Sequence, residues 1–232
     1  MLYPSNRHTN LYLQALLETY LGSDVADYVL ERSAEPAKRI YATVLFADIR
    51  DFTAMAEVTD EAHLYDEVNA YYAIIDEVIK RYGGVVNDFG GDSILALFGA
   101  PYSLADHAAA ALHAAADIMD ELADLNKERE SESRPPLRVG IGVNSGNMMM
   151  GNVGSATRKT FTVLGDCVNS AKRLSDMSKE NPFYSIYASQ QTVSDVHSGL
   201  PVSWELFNLG EKRVRGRQQS LITYAIMPDA PA

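Results

Sequence analysis

Cysteine pairs, membrane-length apolar runs and a signal peptide are all missing from this sequence. Its 232 residues include one cysteine, Cys167, which excludes a disulfide scaffold and a zinc cluster built on cysteines. No stretch approaches the roughly 18 apolar residues that a membrane-spanning helix needs. Glu18 interrupts the only candidate signal-peptide core. We therefore expect a cytoplasmic chain with no membrane span, which could still be one domain of a longer protein.

Positive charge is also scarce, because 31 acidic residues against 20 basic ones give a formal net charge of −11. A duplex-binding surface requires a basic footprint, so this balance argues against a nucleic-acid partner. A protein of this charge that handles anions must do so locally, with a few placed cations or metal ions. The apolar fraction of 47% is near the globular average, which excludes disorder and coiled coil as the main state.

In the first half of the chain, the apolar pattern predicts helices and strands in alternation. Helical spacing over residues 10–32 predicts one or two helices ahead of the main domain. The continuous apolar run at 41–47 predicts a strand buried on both faces. A helix is predicted over 60–82, and the β-rich runs at 85–87 and 93–98 predict a hairpin with a glycine turn.

The second half of the chain continues the alternation. An Ala-rich helix is predicted over 104–126, and the charged stretch 127–136 is predicted to be an exposed loop. The remaining predictions are strands at 137–143, 147–154 and 160–165, a helix from Asp166 past Leu174, and strands at 183–187, at 201–209 and near the C-terminus. Helices that alternate with adjacent hairpins indicate an α+β fold with a mixed antiparallel sheet.

Two acidic residues stand where strand ends could bring them together. Asp48 directly follows the first buried strand, and Asp92 lies on the turn of the predicted hairpin. If the hairpin pairs beside the first strand, the two carboxylates converge at one edge of the sheet. Convergent carboxylates without His or Cys suit hard cations such as Mg²⁺ or Mn²⁺. For either residue alone, an ordinary turn acid is the better interpretation.

Three further patterns could bind a nucleotide, although none is specific alone. The segment IRDFTAMAE after the first strand is a turn into a helix, where backbone N–H groups can hold a phosphate. Asn169 and Arg173 share one face of a helix, and they could hold a sugar and a phosphate or belong to a solvated face. Arg213, Arg215 and Arg217 point the same way on a strand, as a phosphate-facing cluster or a soluble edge.

Taken together, five segments resemble the catalytic domain of the class III nucleotidyl cyclases. They occur in the family's order: VLFADIRDFT (44–53), FGGDSILALFGAP (89–101), LRVGIGVNSG (137–146), FTVLGDCVNSAKRL (161–174) and VRGR (214–217). The GGD turn alone also resembles diguanylate cyclases, but DSI replaces the rest of that signature. The resemblance implies a ferredoxin-like βαββαβ core, with 41–232 as catalytic domain. Residues 1–40 would then be an N-terminal helical extension or a connector from an upstream sensor domain.

The resemblance also implies a reaction and a metal site. The family converts a nucleoside triphosphate into a 3′,5′-cyclic monophosphate and pyrophosphate, with two Mg²⁺ or Mn²⁺ ions per site. Asp48 and Asp92 would hold both ions, with the Ile49 carbonyl as an additional ligand. The metal aspartates sit on one subunit of the family's dimer and the Asn/Arg helix on the other. A chain carrying both sets should therefore form a head-to-tail homodimer with two shared sites.

The remaining roles follow from the same resemblance. Asn169 would orient the ribose, and Arg173 would stabilise charge on the α-phosphoryl group in the transition state. In this chain an acid, Asp51, replaces a glycine that is common in the phosphate turn. The residues that would bind the β- and γ-phosphates are Arg50, Asp51, Phe52, Thr53, Arg138 and Arg215.

The base-reading positions depart from the family's usual residues. Asp88 stands where adenylate cyclases usually carry lysine, and Thr162 at the partner position resembles a bacterial subgroup that is mostly adenylate-forming. Guanylate cyclases instead pair Glu with Cys. An ionised Asp88 only accepts hydrogen bonds, so it could take guanine N1–H and N2–H₂ with Thr162 donating to O6. It could equally accept from adenine N6, with Thr162 serving N1, and cytosine N4 is a further possible donor.

Three kinds of protein fit these residues. We expect an adenylate cyclase (a phosphorus–oxygen lyase) in cyclic-nucleotide signalling, with guanylate cyclase as the alternative in the same class. The second kind is a degenerate nucleotide-binding regulatory module, and the third is a dimerisation scaffold. Neither of these two would require Asp48, Asp92, Asn169 and Arg173 together, so their joint presence favours an active enzyme.

Overall fold

The structure, a computed structural model, describes residues 7–181, 183–200, 204–212 and 220–228. Its helices are α1 (Arg7–Leu21), α2 (Ser23–Arg32), α3 (Phe52–Val58), α4 (Glu61–Arg81), α5 (His107–Ser131), α6 (Asp166–Glu180) and α7 (Gln190–Ser194). Its strands are β1 (Lys38–Ile49), β2 (Val85–Phe89), β3 (Ser93–Phe98), β4 (Val139–Gly154), β5 (Lys159–Leu164), β6 (Ile186–Ser189), β7 (Trp204–Lys212) and β8 (Leu221–Pro228). Within these ranges, no helix is both long and apolar enough to cross a membrane.

The strands of the described chain form one mixed sheet in the order β2-β3-β1-β4-β6-β8-β7, with β5 paired to the far end of β4. All neighbours are antiparallel except β4 and β6. The segment from β1 to β4 runs strand, helix, hairpin, helix, strand, with β1 and β3 at the centre of that core. This is the βαββαβ arrangement and the mixed α+β fold that the sequence predicts.

Alternate residues of the central strand β1 face two different apolar layers. Leu45, Ala47 and Ile49 pack against α4 and α5 on one side of the sheet. Ala42 and Val44 pack on the other side, in a cluster that includes residues of α2, β5 and α6. The period of two that defines a strand therefore buries β1 on both faces. A strand covered in this way holds the residue at its end, Asp48, in a rigid place.

Two sequence predictions about local structure are wrong. The stretch predicted as an exposed loop from residue 127 continues α5 as far as Ser131. Its Arg129 is buried in an ion pair with Glu67 of α4 and also donates to the Pro135 carbonyl at 2.9 Å. A charged residue that finds a partner on the neighbouring helix can be buried, which the charge pattern alone does not reveal.

The second error concerns the strands predicted at 137–143 and 147–154, which are one strand of 16 residues. The intervening Asn144, Ser145 and Gly146 pair with β1 in unbroken register. Because β1 supplies partners along its whole length of 12 residues, the polar and glycine residues between the two predicted strands do not form a turn. This long strand carries β5 out to one side of the sheet.

Candidate active site

Asp48 and Asp92 lie side by side where the end of β1 meets the turn before β3. The hairpin pairs beside β1, with Asp48 opposite Ser93, and the Ile49 amide donates to the Asp92 carbonyl at 2.9 Å. Asp48 is only 2% exposed, whereas Asp92 is half-buried. The sheet therefore places a buried carboxylate next to a more open one, as the strand and hairpin pattern predicts.

Two lysines of α6 lie against the Asp48 carboxylate, and sequence reasoning missed both. Lys172 contacts Oδ2, and Lys179 Nζ lies 2.7 Å from Oδ1. Burial alone would lower the pKa of Lys179, but contact with Asp48 and the charges of Asp176 and Asp92 outweigh it and raise that pKa. The seven-residue spacing of the two lysines places them on one helix face, so the spacing was a readable signal.

The buried Asp48 carboxylate is compensated by positive charge on both of its oxygens. Lys172 contacts Oδ2, and Lys179 Nζ lies 2.7 Å from Oδ1. A divalent cation could take the place of these ammonium groups at the same oxygens. Hard divalent cations prefer such oxygens. No group of three or more His, Cys, Asp or Glu side chains converges among the described residues, so two carboxylates and a backbone carbonyl would have to suffice on the protein side.

The predicted phosphate turn divides into two parts. The Arg50 amide donates to the Arg138 carbonyl at 2.8 Å, and its guanidinium donates to the Tyr184 carbonyl at 2.7 Å. Arg50 is half-buried, and this burial lowers its pKa. Arg50 thus holds the segment before β6. The other part is Asp51, in the left-handed region with φ 57°, followed by α3, whose first-turn N–H groups have no intrahelical acceptors.

A cavity of about 340 Å³ lies beside this turn. It is lined by residues that include Arg50, Asp51 and the exposed Arg138. The structure therefore places Arg138 next to the turn, and its contact with the terminal phosphates stays a prediction. Arg215 lies outside the described residues, together with Arg213 and Arg217.

Asn169 and Arg173 lie on α6, as predicted, but within the described residues they make no hydrogen bond or ion pair with Asp48 or Asp92. Asn169 is exposed, and Arg173 lies 4.0 Å from Asp166 at the start of the same helix. In the described part of the chain, the α6 residues that contact Asp48 are Lys172 and Lys179. In the described residues, Arg173 is thus paired with Asp166 and not with the Asp48–Asp92 pair.

One of the predicted base-reading residues, Thr162, contacts a residue that sequence reasoning missed. Thr162 Oγ1 lies 3.0 Å from Asn87 Oδ1, and Asn87 Nδ2 lies 3.1 Å from the Phe161 carbonyl. The register of β2 against β3 shifts between Val86 and Asp88, which makes Asn87 the extra residue of a β-bulge. Asp88 is exposed. The partner of Thr162 is therefore Asn87, and no sequence signal marks this bulge.

Comparison with known proteins identifies the family. Residues 35–228 match the family model described as the adenylate and guanylate cyclase catalytic domain. Since this match covers most of the chain, the chain belongs to that family. The resemblance inferred from the five segments is thereby confirmed.

Relatives and solved structures are similar over most of the chain. An adenylate cyclase of Anabaena cylindrica is 30% identical over 85% of this chain and 38% of its own length. The uncharacterized protein Rv1319c of Mycobacterium tuberculosis is 36% identical over 77% of this chain and 31% of its own length. The chain thus spans about a third of the length of these curated relatives.

Both kinds of cyclase occur among the similar structures. A bacterial light-regulated adenylyl cyclase has a TM-score of 0.81 and 26% identity, covering 94% of this chain and 62% of its own. The guanylyl cyclase Cya2 has a TM-score of 0.73 and 26% identity, covering 84% of this chain and 96% of its own. The fold is therefore that of a cyclase catalytic domain, and adenylyl and guanylyl cyclases share it.

Proposed function

We propose that this domain converts ATP into 3′,5′-cyclic AMP and pyrophosphate, in a head-to-tail homodimer whose sites are shared between subunits. The observation that carries the proposal is the Asp48 carboxylate, which is buried near the end of the central strand beside Asp92 and is balanced by the ammonium groups of two lysines of α6. A buried carboxylate that is compensated by cations is a suitable ligand for a divalent metal ion. The cyclase family of the chain supplies the reaction type.

Asp48, Asp92 and the Ile49 carbonyl would hold two Mg²⁺ or Mn²⁺ ions. When bound, such ions lower the pKa of the attacking 3′-hydroxyl and neutralise charge on the triphosphate. Lys172 and Lys179 balance the charge of Asp48 in the metal-free protein. Their ammonium groups would have to withdraw as the ions bind, so the two lysines set part of the cost of loading the site.

The other residues bind and orient the nucleotide. Arg138 and the first turn of α3 would face the β- and γ-phosphates, and Arg215 is proposed for the same task by resemblance alone. Asn169 would orient the ribose, while Arg173 would stabilise the charge that develops on the α-phosphoryl group. Because Arg173 pairs with Asp166, and neither residue contacts Asp48 within the described part of its own chain, both would serve the site of the second subunit.

Mixed dimers test the catalytic residues and the shared site together. Asp48→Asn and Arg173→Ala chains should each be inactive alone, and their mixture should regain activity because one of the two heterodimer sites is intact. Asp48→Asn mixed with Asp92→Asn is the matched control, since every site then lacks one carboxylate. Cyclic AMP from either single variant at the wild-type rate would contradict the assigned roles. No recovery in the first mixture, with heterodimers shown to form, would contradict the shared site.

A guanylate cyclase is the second candidate, and one observation favours it. Asp88 is an exposed acid at the position where the family's guanylate cyclases carry glutamate. A carboxylate there can accept from guanine N1–H and N2–H₂. The choice between the two bases therefore depends on what the neighbouring Thr162 presents.

A further inference from the structure

We infer that Asn87 is a specificity-determining residue, which selects a base with an exocyclic amino group by fixing the hydroxyl proton of Thr162. The inference rests on the proposed function, in which Asp88 and Thr162 face the base. It concerns a residue between these two positions that contacts one of them directly. Its consequence is a choice between adenine and guanine that neither Asp88 nor Thr162 makes alone.

The orientation of the Asn87 amide follows from its surroundings. The Phe161 carbonyl can only accept a hydrogen bond, so the amide atom 3.1 Å from it must be the donor Nδ2. The amide oxygen Oδ1 then faces Thr162, 3.0 Å from its hydroxyl. An amide oxygen only accepts, so the Thr162 hydroxyl must donate its single proton to Asn87. The flip of the amide and the rotor of the hydroxyl are both determined by one backbone carbonyl.

The fold holds Asn87, Thr162 and the Phe161 carbonyl in place. The β-bulge in β2 turns Asn87 toward β5, away from the regular alternation of its strand. Phe161 is 5% exposed, and its ring packs against Tyr28 of α2 with centroids 5.1 Å apart. The carbonyl that orients Asn87 is therefore anchored by a buried side chain. A nucleotide could accept the Thr162 proton only if the hydrogen bond from Thr162 to Asn87 broke.

Because the Thr162 hydroxyl donates its proton to Asn87, the Thr162 oxygen can only accept hydrogen bonds from a ligand. The ionised Asp88 also offers only acceptors, so the two positions together demand donors from the base edge. The adenine N6 amino group has two protons and can give one to each. Guanine satisfies Asp88 with N1–H and N2–H₂, but its O6 then meets the lone pairs of Thr162. An acceptor facing an acceptor loses a hydrogen bond that water would have made.

The demand for hydrogen-bond donors on the base edge applies to the pyrimidines as well. Cytosine carries an amino group at C4, whereas uracil carries a carbonyl oxygen there. Asn87 should therefore favour ATP over GTP and also CTP over UTP, whatever the relative size preference for purines. A site that selected bases by size would separate purines from pyrimidines. Selection by Asn87 would instead group ATP with CTP, because both bases carry an exocyclic amino group.

The test measures kcat/KM for ATP and GTP in wild type, Asn87→Ala, Thr162→Val and the double variant. Without Asn87 the hydroxyl can rotate and donate to O6, so the ATP-to-GTP ratio should fall about tenfold in Asn87→Ala. In the Thr162→Val background, Asn87→Ala should leave the ratio unchanged, since no hydroxyl remains to be oriented. A residue that only supports the fold would lower both activities without changing their ratio.

Binding of ATP and GTP by calorimetry with Ca²⁺ supplies a second readout that does not need turnover. Tighter binding of ATP, lost in Asn87→Ala, would support the inference even if no cyclic product forms and the proposed function fails. A wild-type preference for GTP would overturn it, and so would an ATP-to-GTP ratio that Asn87→Ala leaves within twofold of wild type. Circular dichroism checks that each variant is folded before the ratios are compared.

Discussion

Replacing Gly142 by alanine tests whether the close packing of α6 on the sheet is what positions Asn169 and Arg173. A Cβ at residue 142 would lie 2.9 Å from the Leu174 carbonyl carbon, and nearer still to the Ala171 oxygen and the Ser175 nitrogen. Ordinary contacts begin at about 3.4 Å, and all three atoms are backbone that cannot rotate away. Because the nearest of these atoms decides the required movement, helix α6 must back off by about 1 Å.

This displacement should cost activity more than stability. Overpacking a filled interface costs about 1–3 kcal/mol, which corresponds to roughly 2–4 °C in Tm per kcal/mol for a chain of this size. A misplacement approaching 1 Å at a group that positions substrate can cost about 10²-fold in rate. We expect Gly142→Ala to remain folded, melt several degrees lower, and lose between about tenfold and a hundredfold in kcat.

Cyclic nucleotide formation and thermal melting of the same samples provide the assay. Gly146→Ala is the matched control on the same strand, because among the described residues its Cβ would meet only the Cys167 side chain, at 3.2 Å. It should keep kcat within about threefold of wild type, as expected for a small displacement of a side chain. Wild-type kcat in Gly142→Ala would refute the claim that helix position sets the rate.

Two further predictions concern ion pairs. Arg129→Met breaks the buried pair with Glu67 and should lower the free energy of unfolding by about 3–5 kcal/mol. Arg134 contacts the same carboxylate from an exposed position, so Arg134→Met should lower the free energy of unfolding by about 1 kcal/mol or less. Equal urea midpoints for the two variants would contradict the burial argument. Lys179→Met should bind Mn²⁺ more tightly than wild type by electron paramagnetic resonance, because one cation fewer lies against Asp48. Lys127→Met controls for the charge change, since Lys127 pairs with Asp124 on an exposed face, and weaker Mn²⁺ binding in Lys179→Met would count against competition.

The convergence of Asp48 and Asp92 could be predicted because it depends on local patterns. A buried strand ending at Asp48 and a glycine turn carrying Asp92 leave few ways to pair the segments. The same locality made α4 predictable from its apolar spacing. The shared helix face of Asn169 and Arg173 also followed from their spacing of four residues.

What the sequence could not reveal depends on partners distant along the chain. Arg129 extends α5 because Glu67 lies on a neighbouring helix, and β4 runs unbroken because β1 pairs with it. The bulge at Asn87 is set by how β2 meets β3, and no residue type announces it. Arg50 is the reverse case, since its place in the phosphate turn is predicted, yet its side chain holds the segment before β6.

We propose above all that this domain cyclises a nucleoside triphosphate and prefers adenine. The most direct measurement incubates the purified protein with ATP, GTP, CTP and UTP separately, with Mn²⁺ and then Mg²⁺, and separates the products by chromatography. We predict cyclic AMP and pyrophosphate as the main products and much less cyclic GMP. No cyclic product from any nucleotide with either metal, from a folded dimer, would contradict the catalytic assignment, and cyclic GMP as the main product would contradict the choice of base.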